Sequence, residues 1–506
     1  TSELLAMLYF VNLLWIGHRY NADQLAGASL ACTLINIIGQ AFIIGVSSAL
    51  DTLCGQAYGA KSYHMVGIFL QRMVVIIHLL IVVIAVVFLY TDQLLQLLHQ
   101  PKAVAIESGK FTKYFIIALW PLAMWYCLRR YLQSQGKVKI IFPSVLFAII
   151  GQWIGLYLFD LYLDLGFIAT AMALGSAYWL QFISMLLLMF IGKVYKKTWP
   201  QFPYKWECAQ LLKGWPQILS LSFPALCMLC SEWWAFEMQA IFAGWIDDDH
   251  LAAFALSLNF LTMTIKIPLS ISWANGIIVA NKLGKMRPDD ASACWDGSLI
   301  LSTLMTALIS LFCWFGKSII AHLYAPQESH KRIREIMEDC LMVLAVYMMI
   351  DQIQRCGQGA IRGMGMQKIG AYTNVLSYYL CGIPLGLYLC FWRDWKVVGL
   401  WIGMCAGSVV SSVVFIVFRF RVNWREQVKK TFQRIQEKEK KLEEFKQTLM
   451  EQPQIQNDPD ARWAEHIHQY HQSSNGNAGD NTGDNEDHYE QEQPVHQSMN
   501  SLLQSE

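Results

Sequence analysis

The run Pro224-Ala225-Leu226-Cys227-Met228-Leu229-Cys230-Ser231-Glu232-Trp233-Trp234-Ala235-Phe236-Glu237 decides how this chain is read. It sets two carboxylates inside an apolar stretch, residues 224–244, of the length that crosses a bilayer. A charge at mid-bilayer costs about 2.5 to 3.5 kcal/mol on insertion scales, so Glu232 and Glu237 are expected to face a bundle interior or a wet cavity and not lipid. That makes them candidate functional residues. The alternative is structural, with both carboxylates paired to polar groups that only tie helices together.

Outward from that stretch the chain keeps the same character. Of its 506 residues 55% are hydrophobic and 15% charged, the composition of a polytopic membrane protein. A net charge of +1 gives no support for a nucleic-acid partner. No Walker A loop, zinc signature or hydrolase elbow occurs, so neither soluble-enzyme chemistry nor an ATP-driven pump is expected. The 13 cysteines fall mostly in apolar runs, where a thiol acts as a small hydrophobe, and no disulfide framework is expected.

A span needs about 20 apolar residues, and about twelve are counted on that rule. They are 1–17, 24–50, 65–90, 111–131, 140–160, 166–192, 214–243, 250–274, 294–316, 336–358, 370–391 and 397–419. Because the sequence opens at Thr1 and is apolar by Leu4, part of the first span is expected to be missing. Lys and Arg in short loops set orientation. Arg129, Arg130, Lys137 and Lys139 follow the fourth span, Lys193, Lys196, Lys197, Lys205 and Lys213 the sixth, and Lys282, Lys285 and Arg287 the eighth. The tail opening with Arg419, Arg421 and Arg425 shares that side, which is therefore expected to be cytoplasmic. Asp247-Asp248-Asp249 lies opposite, although Lys331, Arg332 and Arg334 fall there too.

The chain also contains itself twice. Gln135-Gly136-Lys137-Val138-Lys139-Ile140 matches Met364-Gly365-Met366-Gln367-Lys368-Ile369, and each precedes a span ending in Gly-Leu-Tyr-Leu, at 155–158 and 386–389. The segments after the second and eighth spans match as well, Gln56-Ala57-Tyr58-Gly59-Ala60-Lys61 against Asn281-Lys282-Leu283-Gly284-Lys285. The copies lie about 225 to 231 residues apart and each holds six spans, so both enter the membrane in the same sense, as parallel repeats about an axis along the membrane normal. The expected fold is an all-α polytopic membrane protein of two related six-helix bundles, residues 1–198 and 199–420.

From residue 421 the composition changes. Val428, Phe432, Ile435, Leu442, Phe445 and Leu449 recur at spacings of three and four in a Lys/Glu/Gln-rich run, which predicts an amphipathic helix or a short coiled coil. Beyond Pro453 the Gln, Asn, His, Asp and Gly content reads as disorder, with His466, His468 and His471 part of a solvated tail and not a metal site.

Three segments carry a resemblance. Ser231-Glu232-Trp233-Trp234-Ala235-Phe236-Glu237 in the seventh span, Ser48-Ala49-Leu50-Asp51-Thr52-Leu53-Cys54-Gly55-Gln56-Ala57-Tyr58-Gly59 after the second, and Arg362-Gly363-Met364-Gly365 with Gln367-Lys368 after the tenth resemble a eukaryotic member of the MATE family, the multidrug and toxin extrusion transporters. The resemblance covers residues 1–420. It implies two six-helix bundles facing each other across a cavity, alternating access, and exchange of an incoming proton for an outgoing organic cation. Glu232 and Glu237 match the family's acidic positions in the seventh span, Asp351 its acidic residue in the tenth, and Asn36 an Asn of the second. The eighth span departs, with Asn259 at the family's Glu position and Lys266 in mid-span.

Such an exporter needs a carboxylate whose charge alternates, since one ionised Glu neutralises a proton or a cation but not both. Glu232 is the first candidate. Its neighbours Trp233 and Trp234 offer faces that add about 0.5 to 2 kcal/mol to a bound cation, although only one of two adjacent residues shares its side of the helix. Glu237, rotated by about 140°, is given a supporting role. Asp351 is the second candidate, for proton handling or for pairing with Lys266, and Arg355 one turn later is its alternative partner. Pro216 and Pro224 are expected to interrupt the seventh span's hydrogen-bond ladder.

No resident cofactor is expected; the proton is the coupling ion, with sodium as the alternative. The expected partners are small organic cations and the lipid bilayer, and the expected location is the plasma membrane, multi-pass, with the tail (421–506) cytoplasmic and dispensable for transport. Two other readings stay open. One is a carrier in which Lys266 selects anionic or lipid-linked substrates, the other a transporter-like receptor or scaffold whose tail recruits protein partners.

Overall fold

A computed structural model of the protein describes residues 2–199, 214–326 and 330–450. The helices follow the expected spans: α1 (Ser2–Arg19), α2 (Ala22–Gly59), α3 (Tyr63–Leu89), α4 (Lys102–Ser134), α5 (Val138–Tyr162), α6 (Ile168–Ile191), α7 (Trp215–Gly244), α8 (Asp248–Thr264 with Lys266–Gly284), α9 (Pro288–Phe315), α10 (Lys331–Met364), α11 (Gln367–Trp392) and α12 (Lys396–Arg421). A further helix, α13 (Trp424–Met450), follows. Nine of these, or ten with the bent α8 taken as one span, are long and apolar enough to cross a membrane among the described residues. Helix α10 is not among them; it carries Asp351, Arg355 and Arg362, and all three are buried. Its charges face protein, which is what lets a polar helix stand in a bundle. The region beyond Pro453 lies outside the described residues.

Local chemistry sets the ends. Asn21 and Gln24 open α2 with a capping box, each side chain accepting from the other's backbone N–H. Gly214, at φ 82°, turns the chain into α7, where Pro216 occupies the first turn. A proline there forfeits no bond, so Pro216 starts the helix and does not interrupt it as expected; Pro224 lies within. Asp247 caps α8 by accepting from the His250 N–H at 2.8 Å. The two segments of α8 meet at 41°, because Pro268 has no N–H for the carbonyl of Thr264. At the end of α10, Gly365 in the left-handed region (φ 78°) closes a Schellman turn, with N–H bonds from Gly365 to Arg362 and from Met366 to Ile361. Wider π-helical turns recur at equivalent places in α5 (Leu156–Tyr162) and α11 (Tyr388–Trp392).

The matched segments 56–61 and 281–285 hold the last turns of α2 and α8, which end at Gly59 and Gly284 and cross each other. A Cβ on Gly55 would come within 2.7 Å of the Ala280 Cβ. One on Gly59 would strike the Asn281 carbonyl, and one on Gly284 the Gln56 carbonyl. Small residues therefore let the two backbones touch. The side chains repeat the reciprocity: Gln56 Nε2 donates to the Gly363 carbonyl at 2.9 Å, and Asn281 Nδ2 to the Ser134 carbonyl at 3.1 Å. Gly59 is to Asn281 as Gly284 is to Gln56, which is the signature of a two-fold axis running through the Gly55–Ala280 contact.

Further ties lie on the same side, where α2, α4, α8 and α10 end and the tail begins. Thr52 Oγ1 donates to the Arg362 carbonyl at 2.5 Å, and Ser222 Oγ to the Val46 carbonyl at 2.8 Å. The Arg129 guanidinium stacks on Trp125 of its own helix and on Trp273 of α8, at 5.3 and 5.0 Å. The molecule is thus closed on the tail side. Arg129 and Arg130, counted above as loop charges, belong to the continuous α4 and are buried; the exposed Lys137 and Lys139 remain as loop charges.

Candidate functional site

Glu232 lies on the buried face of α7, opposite a face of α10 that presents Asp351, Gln354, Arg355 and Gln358 at spacings of three and four. The Arg355 guanidinium joins two carboxylates, donating through Nη2 to Glu232 Oε1 and through Nε to Asp351 Oδ2. None of the three side chains is more than 4% exposed. A buried charge cluster of this kind stands only when its remaining lone pairs are satisfied. Asp351 Oδ1 accepts from Tyr347 at 3.0 Å and from Gln354 Nε2 at 2.6 Å, and Gln354 also reaches the Tyr378 hydroxyl of α11. Gln358 Nε2 stands 3.5 Å from Glu232 Oε2 and 3.3 Å from Asn374 Oδ1, while Asn374 Nδ2 donates to the Met228 carbonyl at 2.7 Å. Helices α7, α10 and α11 are tied through one polar network.

Aromatic packing fixes its orientation. Phe236, one turn beyond Glu232, meets the Tyr347 ring edge-on at 6.2 Å, which holds the hydroxyl toward Asp351. Trp401 of α12 packs against Tyr347 at 6.4 Å and stacks on Phe254 at 4.9 Å. On the other flank of Asp351 a cavity of about 10 Å³ opens at the bend of α8, lined also by Thr264, Ile265, Pro268, Thr306, Ile309 and Met348. That is the room one water needs.

The structure therefore brings Glu232 and Asp351 together and leaves other candidates outside. Lys266 opens the second segment of α8 and is half-buried, but the ion pair of Asp351 is with Arg355 and not with Lys266. The i, i+4 partner on the same helix is already in reach, so the longer approach is not needed. Glu237 is half-buried and apart from the network, as its rotation requires. Trp233 is half-buried and Trp234 is 41% exposed on the side of α7 turned away from Glu232, so the two do not flank the carboxylate together. Asn36 lies half-buried in a π-helical turn of α2 (Ile35–Gln40), and Asn259 is exposed on the first segment of α8.

Sequence reasoning missed Gln354, Gln358, Tyr347, Tyr378 and Asn374. The α10 members were findable, since their spacing puts them on the face of Asp351; Tyr378 and Asn374 arrive from another helix and carry no such signal. The N-terminal half has a different interior. Among the described residues, the ion pair with both partners buried there is Asp51–Arg130, with Arg130 donating also to Ser47 Oγ and the Ile44 carbonyl at 3.0 Å each. Nearer its middle, Gln40 Nε2 donates to the Tyr9 hydroxyl at 2.7 Å and Tyr178 lies 3.1 Å from the same oxygen.

Comparison with known proteins gives one answer. A family profile, MatE, matches residues 1–158 and 224–388. Protein DETOXIFICATION 10 of Arabidopsis thaliana is 30% identical over 85% of this chain and 87% of its own length. Multidrug and toxin extrusion protein 1 of Oryctolagus cuniculus is 30% identical over 83% of this chain and 72% of its own. The crystal structure of the eukaryotic MATE transporter AtDTX14 superposes with a TM-score of 0.77 at 26% identity, covering 86% of this chain and 95% of that one.

Proposed function

This chain belongs to the MatE family, the multidrug and toxin extrusion transporters, and from that premise we propose that it exchanges protons for organic cations across its membrane by alternating access. The observation that carries the reading is the charge balance of the α7–α10 cluster. With both carboxylates ionised, Glu232 and Asp351 share one guanidinium and retain one negative charge. One proton or one cation cancels it, and the two cannot do so at once. Competition for that charge couples the fluxes.

Within the cluster Glu232 is the exchanging group. Asp351 receives Arg355, Tyr347 and Gln354, whereas Glu232 has Arg355 and the longer approach of Gln358. Protonation of Glu232 leaves Arg355 and Asp351 as a neutral pair on one helix; a cation restores Glu232 to its charged form. Glu237 supports α7 without taking part.

The same reading places the tail on the cytoplasmic side and the protein in the plasma membrane. Its test is uptake of a panel of organic cations and anions into vesicles under an imposed pH gradient, with a sodium gradient as a parallel arm. Cation accumulation driven by the pH gradient is expected. Anion accumulation alone would transfer the function to a carrier of opposite charge preference, and movement driven only by sodium would replace the coupling ion.

A further inference from the structure

Past the last span the chain does not simply leave the bundle. Arg419 pairs with Asp296 of α9, and Trp424 meets Trp295 edge-on at 6.1 Å. From there Gln427, Val428, Thr431 and Ile435, at spacings of one, three and four, bury one face of α13, while Arg425, Glu426, Lys429 and Lys430 are exposed. Val428 joins a core with Val279, Leu283, Ile361 and Met364 of the C-terminal half. Farther along, Arg434 crosses to the other half, where its Nη1 donates to Gln56 Oε1 of α2 at 3.1 Å. Room for the guanidinium exists because α10 ends in a glycine: a Cβ on Gly365 would lie 2.7 Å from Arg434 Nη1.

We propose that α13 is a latch on the tail-side gate, rooted in the C-terminal half through Trp424 and Val428 and gripping the N-terminal half through Arg434. Gln56 is the residue that also bonds Gly363 across the α2–α8 crossing, so the grip falls on the gate itself. Resting on the alternating-access reading, the argument is geometric. Opening the tail side separates Gly55 from Ala280, and Arg434 cannot follow Gln56 while its helix stays rooted on α9. The contact therefore favours the state closed on the tail side by whatever free energy it contributes there and not in the open state. Anything that draws off α13 by its charged outer face shifts the molecule toward opening on that side.

The test uses the full-length chain carrying Ser134→Cys, a side chain buried at the closed gate. A membrane-impermeant thiol reagent is added from the tail side, and modification is read at that peptide by mass spectrometry. Adding Arg434→Ala is expected to speed modification roughly tenfold, the scale of one lost charge-assisted hydrogen bond. Ile435→Asp should act in the same direction and Arg434→Lys should fall between. Equal rates in all variants would overturn the latch. So would a matching rise at a control site away from the gate, Ser302→Cys, which would mark general loosening. Faster modification at the gate in a protein that exchanges nothing in vesicles would keep the latch and remove the carrier reading, so the two fail separately.

Discussion

The two halves of the molecule make the same contacts at their meeting edge and different chemistry within. Gln56 reaches the end of α10 as Asn281 reaches the end of α4, across backbones that touch at Gly55 and Ala280. Carried inward by the register that aligns Ser134 with Gly363, the likeness stops. Opposite Asp351 and Arg355 the N-terminal half has Leu122 and Tyr126, and opposite its own Asp51–Arg130 pair the C-terminal half has Gly276 packed on Gly359, where a Cβ would meet the carbonyl at 2.8 Å. The N-terminal pair is balanced, one carboxylate to one guanidinium. The C-terminal cluster is not, with two carboxylates to one guanidinium. Duplication preserved the crossing of α2 and α8, and of these two buried clusters the C-terminal one holds the excess carboxylate.

The largest effect expected from breaking this asymmetry is on Arg355. Removing it strands two buried carboxylates, so Arg355→Met should lower stability by about 3 to 5 kcal/mol in thermal unfolding of the solubilised protein. Adding Asp351→Asn should recover part of the loss, because the pair is coupled. A single variant as stable as the parent would show that the cluster does not carry the charges assigned to it. The reciprocal edge should respond evenly once the tail contact is gone: in an Arg434→Ala background, Gln56→Leu and Asn281→Leu each remove one hydrogen bond across the crossing and should each cost about 1 kcal/mol. A large difference between them would mean that the gate is not the two-fold contact it is drawn as here.

The smallest effect concerns the far side, where Asn21 caps α2 with an amide and Asp247 caps α8 with a carboxylate. The His250 N–H, which Asp247 accepts, holds that carboxyl below the usual carboxylate range, with His250 and Arg332 adding to the shift. A depressed carboxylate contributes stability above its unfolded pKa and loses it as pH falls through the folded one. Asp247→Ala should therefore cost about 1 kcal/mol at neutral pH, and the difference from the parent should fade on acidification through the carboxylate range. A difference that persists in acid would assign the cost to packing and not to the cap.

The architecture was legible because its signals are one-dimensional. Span length follows from apolar run length, and the repeat showed itself in 56–61 and 281–285, beside which the crossing demands small residues. Glu232 and Asp351 stood out as charges in apolar surroundings. What could not be read was partnership. Asp351 had two cations within plausible range, and only the fold shows that Arg355 on its own helix takes it. Arg129 and Arg130 looked like loop charges because a helix end and a loop have the same composition there, and burial depends on the opposite half. Trp234 looked like a ligand for a cation because adjacency in sequence hides a rotation of about 200° on a helix across two residues.

The central claim is that Glu232 carries the exchangeable proton and that no group of the N-terminal half substitutes for it. It is tested most directly by counting protons. A quaternary ammonium or phosphonium cation is added to the purified protein in a weakly buffered medium, and proton release is followed with a pH indicator. The parent and Tyr9→Phe should both release protons as the cation binds, and Glu232→Gln should release none. Release from Glu232→Gln equal to the parent's, or its disappearance in Tyr9→Phe, would contradict the account.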